Sequence, residues 1–136
     1  MPLVLSLPCT TSLCTVHTVA GFGIVAGWLV MWVSGGIAFL VDREPGRWFW
    51  QLLAALQVLL GLQLVAGIVL LDAGHRPDTW RHYVYGVIGP VIVLVIAHIL
   101  GRDIANEEDT WKVFAAASFI VFGLTGMALA TGLQIV

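Results

Sequence analysis

The sequence predicts an all-α integral membrane protein whose four transmembrane helices form one up-down bundle. Hydrophobic residues make up 60% of the 136 residues, charged residues make up 10%, and the mean hydropathy is +0.98. Soluble domains carry about 25% charged residues. The six basic and eight acidic side chains fall in three short clusters. This pattern excludes a soluble domain, a nucleic-acid binder, and a membrane anchor joined to a soluble catalytic domain.

Four uncharged runs are each long enough to cross a bilayer, which requires about 20 apolar residues. Because main-chain polar groups in lipid must be satisfied internally, each run is predicted to be helical. The connections are short, so neighbouring helices should be antiparallel. Within a single domain over residues 1–136, the predicted spans are residues 15–41, 48–71, 83–101 and 113–136.

The basic residues indicate the direction of insertion. Four lie on one side of the membrane and two on the other: Arg43, Arg47, Arg102 and Lys112 against Arg76 and Arg81. Loops rich in Lys and Arg remain in the cytoplasm. Loops 42–47 and 102–112 are therefore predicted to face inward. Loop 72–82 and both termini are predicted to face outward from a cell membrane whose lipids surround the bundle.

All the side chains at or within the predicted spans that titrate near neutral pH are histidines. His17 opens helix 1 and His82 opens helix 3 on the same predicted side, so both should lie at similar depth. Two imidazoles facing each other inside a helix bundle can ligate a haem iron from both sides. His98 lies sixteen residues beyond His82, roughly 24 Å along a helix axis, and is predicted to be a hydrogen-bonded interfacial residue.

The surroundings of His17 and His82 also favour haem b. A flat macrocycle needs small neighbours, and three glycines follow the histidines at helical spacing: Gly21, Gly86 and Gly89. Arg76 and Arg81 could pair with propionate carboxylates. Each imidazole should donate its other N–H to a carbonyl or carboxylate. The alternative is that both histidines are interfacial residues hydrogen-bonded to loop carbonyls.

Cys9 and Cys14 lie just before His17, on the side predicted to be outside. Outside the cytoplasm, two cysteines at this spacing can form a disulfide. Two free thiols are the second interpretation. The third is a copper or zinc site formed by Cys9, Cys14 and His17, with His75 and His82 nearby, although metal-binding cysteine pairs are usually spaced more closely.

Three further polar or backbone features lie inside the predicted spans. Gln57 and Gln63 should form hydrogen bonds between helices, or they contact a quinone or the edge of a haem. Pro90 should kink helix 3 and free the main-chain carbonyl of Gly86.

The segment from Leu56 to Gly67 (LQVLLGLQLVAG), followed by a short loop and Arg81-His82-Tyr83, resembles part of the haem A synthase family. In that family, a helix rich in Gln, Leu and Gly precedes a helix that opens with a haem-ligating histidine. The other ligand opens an earlier helix, as His17 does here, and a cysteine pair often precedes it. The resemblance covers most of residues 9–101. It implies that His17 and His82 are axial ligands of a b-type haem on the outer side.

The sequence departs from that family in two respects. Family members contain two four-helix halves, whereas this chain has the length of one half. Three residues before the first ligand, the family has an acidic residue implicated in its oxidation chemistry, and this chain has Cys14. The resemblance therefore favours a haem-binding bundle rather than haem A synthesis.

The leading functional prediction is a small haem b protein that carries electrons or serves a haem-related step at the outer membrane face. The first alternative is a cofactor-free accessory subunit of a respiratory or photosynthetic membrane complex. In that case His17 and His82 should point away from each other. Small residues spaced four apart, such as Gly23 and Gly27, would pack within the bundle or against other subunits or a second copy. The second alternative is a thiol- or copper-handling protein.

Overall fold

The computed structural model describes residues 9–103 and 106–134, and within these ranges the chain is an all-α bundle without strands. Four helices are long and apolar enough to cross a membrane. They are α1 (Ser12–Leu40), α2 (Arg47–Asp72), α3 (Arg81–Asp103) and α4 (Thr110–Gly132), the last preceded by a short 3-10 turn at Glu107–Asp109. The predicted fold class is confirmed.

Local capping and turn residues set the ends of the helices. Thr11 caps α1 by accepting a hydrogen bond from the Cys14 main-chain N–H, at 3.3 Å, which satisfies one of the free donors at a helix start. Asp42 follows α1 with a positive φ of 51°, a conformation that Asp adopts more readily than branched residues do. Pro45 and Gly46 then precede α2. The fourth helix ends at Gly132, before the predicted boundary, and residues 135–136 of that predicted span lie outside the described ranges.

Close helix packing runs in the order α2, α1, α4 and α3. Trp28 and Met31 of α1, Phe49 of α2 and Val121 of α4 are fully buried and form the centre of the core. Helices α2 and α3 do not pack closely over the described residues; one groove lies between them, and a second cavity is lined by all four helices. The bundle is therefore closed on three sides and grooved on the fourth.

Glycines on α1 allow the closest contacts between helices. A Cβ at Gly35 would lie 2.5 Å from the Ala115 Cβ of α4, and one at Gly27 would overlap the Leu56 side chain of α2. These positions pack within the bundle. In contrast, a Cβ at Gly23 would meet no atom within 4 Å. Gly23, which was paired with Gly27 by sequence spacing, therefore faces outward.

Helix α3 contains a π-helical segment at Val84–Ile88. The main-chain N–H of Gly89 bonds to the Val84 carbonyl, five residues back, and Pro90 follows without an N–H of its own. Proline removes one helical hydrogen bond, and in this helix the π-helical segment directly precedes Gly89 and Pro90. The sequence analysis expected a kink at Pro90 and did not predict this π-helical turn, which is of a kind that often lies at functional sites.

Candidate functional site

A cavity of about 560 Å³ occupies the end of the bundle that contains the N-terminus of α1. All four helices and the loop between α2 and α3 line it. Its volume lies within the usual range for small-molecule and cofactor sites, about 300–1,000 Å³. The lining includes both histidines that the sequence analysis singled out, together with Gly21 and Gly86.

His17 and His82 are neighbours across this cavity. Their ring centres are 6.5 Å apart and their planes are inclined by 51°. Helix α1 supplies one ring and helix α3 the other, each from its first two turns. The accessory-subunit interpretation predicted that these side chains would point away from each other, and the observed arrangement differs from that expectation.

Helix α4 fixes the ring of His82. The Nδ1 nitrogen of His82 lies 2.8 Å from the main-chain oxygen of Ala128, and the Thr131 hydroxyl lies 3.4 Å from the same nitrogen. Since a carbonyl oxygen can only accept, Nδ1 carries the proton and Nε2 retains its lone pair. Metal-ligating histidines usually have this arrangement, with one nitrogen bonded to the protein and the other available to the metal.

His17 is held differently. Its main-chain oxygen accepts a hydrogen bond from the Gln63 side-chain amide of α2, at 2.6 Å, which confirms the interhelical role predicted for Gln63. The Nδ1 atom of His17 is buried and has no hydrogen-bond partner among the described residues. The hydrogen bond expected for each imidazole is therefore present at His82 and absent at His17.

The three predicted glycines have two kinds of surroundings. Gly21 and Gly86 line the cavity, as a flat ligand would require. A Cβ at Gly89 would lie 2.9 Å from the Leu124 side chain of α4, so Gly89 serves close helix packing and is not among the lining residues.

Sequence reasoning missed two glycines that give the histidine rings their space. A Cβ at Gly67 would lie 3.3 Å from Cε1 of His17, and a Cβ at Gly132 would lie 3.0 Å from Cε1 of His82. Gly67 ends the Gln- and Gly-rich segment of helix 2. Gly132 follows Ala128 by four residues, a spacing of small residues that indicates close helix packing without indicating which group packs there.

The two arginines that were predicted to pair with propionates, Arg76 and Arg81, differ in their position relative to the cavity. Arg76 is exposed and lines the cavity. Arg81 is exposed and lies outside the lining, with its main-chain N–H bonded to the Thr79 hydroxyl. One cationic side chain is thus available at the cavity mouth.

Cys9 and Cys14 form a disulfide with a Cα–Cα distance of 5.6 Å. The His75 imidazole lies near the pair, and all three potential ligand atoms are within 4.8 Å of one another. Of the three histidines in the metal interpretation, His75 belongs to this group, and His17 and His82 do not. With both sulfurs bonded to each other, thiolate ligands would require reduction of the disulfide.

His98 lies away from this cavity, in a second groove between α2 and α3. Its Nδ1 nitrogen lies 2.7 Å from the Leu94 main-chain oxygen, and its ring packs edge-on against Phe114 at 5.0 Å between centres. The hydrogen-bonded state expected for His98 is confirmed.

No protein-family model, curated protein or solved structure matches this chain. The resemblance to the haem A synthase family stays a prediction.

Proposed function

We propose that this protein is a small membrane haem b protein in which His17 and His82 are the two axial ligands. The observation that carries the proposal is the 6.5 Å separation of the two imidazole ring centres across the cavity. The role that fits this site best is electron transfer, or a haem-related step, at the outer face of the membrane.

The distance agrees with bis-histidine ligation. With a metal–nitrogen bond of about 2 Å on each side, two imidazoles that ligate one metal ion through facing nitrogens have ring centres about 6 Å apart. The helices hold the two ring centres close to this spacing.

The rest of the cavity is suited to the same ligand. The Ala128 carbonyl holds His82 with Nε2 unprotonated, which is the state a metal ligand requires. Gly21 and Gly86 are among the residues that line the cavity beside the histidines. Arg76 lies at the cavity mouth and would pair with a propionate carboxylate.

A bound haem supplies one-electron exchange between ferric and ferrous iron. Gln63 and the Ala128 carbonyl position the two histidines, and Arg76 would balance the propionate charge. If His17 and His82 both held the iron, no coordination position would remain for an exchangeable ligand, which would favour electron transfer.

Two features support an outward position of this site in the cell membrane. Four basic residues lie on the side of loops 42–47 and 102–112, and two lie on the side of the cavity. Disulfides persist in oxidising compartments, and the Cys9–Cys14 disulfide lies at the cavity end. The termini and loop 72–82 then face outward.

Substitution of each histidine tests the proposal. His17→Ala and His82→Ala should each lower the haem content of the purified protein at least tenfold or convert the remaining spectrum to high-spin. His98→Ala is the matched control and should keep both haem content and spectrum, because His98 lies in the other groove. An unchanged low-spin spectrum in His17→Ala or His82→Ala would overturn the proposal.

A cofactor-free accessory subunit is the alternative that one observation favours. A Cβ at Gly23, Gly36, Gly123 or Gly126 would meet no atom within 4 Å, so these glycines face the surroundings of the bundle. Such positions let a helix of another subunit, or of a second copy, approach closely. A purified wild-type protein without haem that migrates as part of a larger complex would favour this alternative.

A further inference from the structure

The second groove between α2 and α3 has a volume of about 460 Å³. Only two of its eleven lining residues are polar, Gln57 of α2 and His98 of α3, and the others are leucine, valine, isoleucine or glycine. His98 is exposed, and the two helices do not pack closely along their described lengths. A lipid-soluble molecule can therefore enter from the side, without passing through water.

Both polar side chains retain hydrogen-bonding capacity. The Nδ1–H of His98 donates to the Leu94 carbonyl, which leaves Nε2 as an acceptor. The Gln57 amide makes no hydrogen bond to the described part of the chain, in contrast to Gln63. Polar groups on a membrane-facing surface are costly when unpaired, and a ligand with both an acceptor and a donor would satisfy them.

The positions of Gln57 and His98 limit the chemistry of that ligand. Gln57 is ten residues from the start of α2, and His98 is five residues from the end of α3 on the same side of the bundle. By helical rise, Gln57 lies roughly 15 Å from the start of α2 and His98 roughly 7 Å from the end of α3. An aromatic ring with oxygens at opposite ends can reach both groups. No Lys, Arg, Asp or Glu lines the groove, which disfavours phospholipid head groups and fatty acids.

We propose that this groove binds the head group of a membrane quinol, with Gln57 donating to one hydroxyl oxygen and His98 Nε2 accepting from the opposite hydroxyl, and that it binds the corresponding quinone through a Gln57 hydrogen bond to a ring carbonyl. The groove shares Leu60, Leu64, Gly86 and Val87 with the histidine cavity. The two sites are therefore adjacent, as an electron carrier and its exchange partner require. That role in electron exchange rests on the proposed haem site, whereas binding of the quinone does not.

Photolabelling tests binding directly. The full-length protein in phosphatidylcholine nanodiscs is illuminated with a short-chain azido-ubiquinone, and labelled peptides are mapped by mass spectrometry with and without excess decylubiquinone. Displaceable label should fall on α2 and α3 at the groove. Haem content is measured on the same sample, so absence of haem and absence of quinone binding are distinguished.

Four variants sharpen this test. Gln57→Leu should lower displaceable labelling by up to about tenfold, the effect of one lost hydrogen bond, whereas Gln51→Leu, on an exposed part of the same helix, should not.

A Cβ at Gly61 or Gly23 would meet no atom within 4 Å, so a larger side chain fits at both. Gly61→Leu should fill the groove and abolish labelling, and Gly23→Leu should leave it unchanged. Equal labelling in all four variants, labelling that decylubiquinone does not displace, or displacement by diacylglycerol instead would overturn the proposal.

Discussion

The Nδ1 nitrogen of His82 lies 2.8 Å from the main-chain oxygen of Ala128, so helix α4 determines which nitrogen of this ring is protonated. Ala128 and His82 are 46 residues apart, and their contact requires the packing of α3 against α4. A haem ligand at the start of α3 would thus depend on a helix that supplies no ligand of its own.

The glycine at the end of α4 provides a test of that dependence. A Cβ at Gly132 would lie 3.0 Å from Cε1 of His82, so Gly132→Ala should displace the ring and weaken haem binding about tenfold. Gly123→Ala is the matched control on the same helix, because a Cβ there meets no atom within 4 Å. Haem titration monitored by absorbance measures both. Equal affinity in the two variants would argue against ligation by His82.

Two adjacent glycines of α1 test the packing of the bundle. A Cβ at Gly35 would lie 2.5 Å from the Ala115 Cβ and 3.3 Å from its Cα, so the helices would have to separate. Gly35→Ala should lower the free energy of unfolding in micelles by about 1–3 kcal/mol. Gly36→Ala, where a Cβ meets nothing within 4 Å, should leave it unchanged or raise it by up to about 1 kcal/mol. A larger loss of unfolding free energy in Gly36→Ala than in Gly35→Ala would contradict the described contact between α1 and α4.

The disulfide should be present in the isolated protein but contribute modestly to stability. Under non-reducing conditions the intact mass should be lower than that of the reduced chain by two hydrogens. Because Cys9 and Cys14 are separated by only five positions, the chain-entropy model limits the stabilisation to about 2 kcal/mol. A Cys9→Ser/Cys14→Ser variant should therefore still fold and bind haem. Two alkylatable thiols in freshly isolated membranes would show that the pair is reduced.

Membrane orientation is tested by cysteine accessibility in the Cys9→Ser/Cys14→Ser background. Asn106 and Ala73 are both exposed, in the loops at opposite ends of the bundle. In intact cells, an impermeant maleimide should label Ala73→Cys and spare Asn106→Cys until the membrane is permeabilised. The reverse pattern would place the histidine cavity on the cytoplasmic side.

Hydropathy was sufficient to predict the four helices, because an apolar span in lipid has few alternatives to a helix. Their ends were less predictable, since the Thr11 cap and the left-handed Asp42 depend on local hydrogen bonds and dihedral angles. A helix rich in apolar residues on all sides also gives little information about its rotation. For this reason Gly89 was expected beside the cofactor and faces Leu124 instead, whereas Gly67 and Gly132 were not assigned to the site.

Optical and electron paramagnetic resonance spectra of the purified wild-type protein, combined with haem and protein quantification, test the central proposal most directly. The 6.5 Å arrangement of His17 and His82 predicts one haem b per chain, six-coordinate and low-spin in both the oxidised and the reduced state. A protein that carries no haem after expression with ample haem supply, or a haem that is five-coordinate and high-spin, would contradict it.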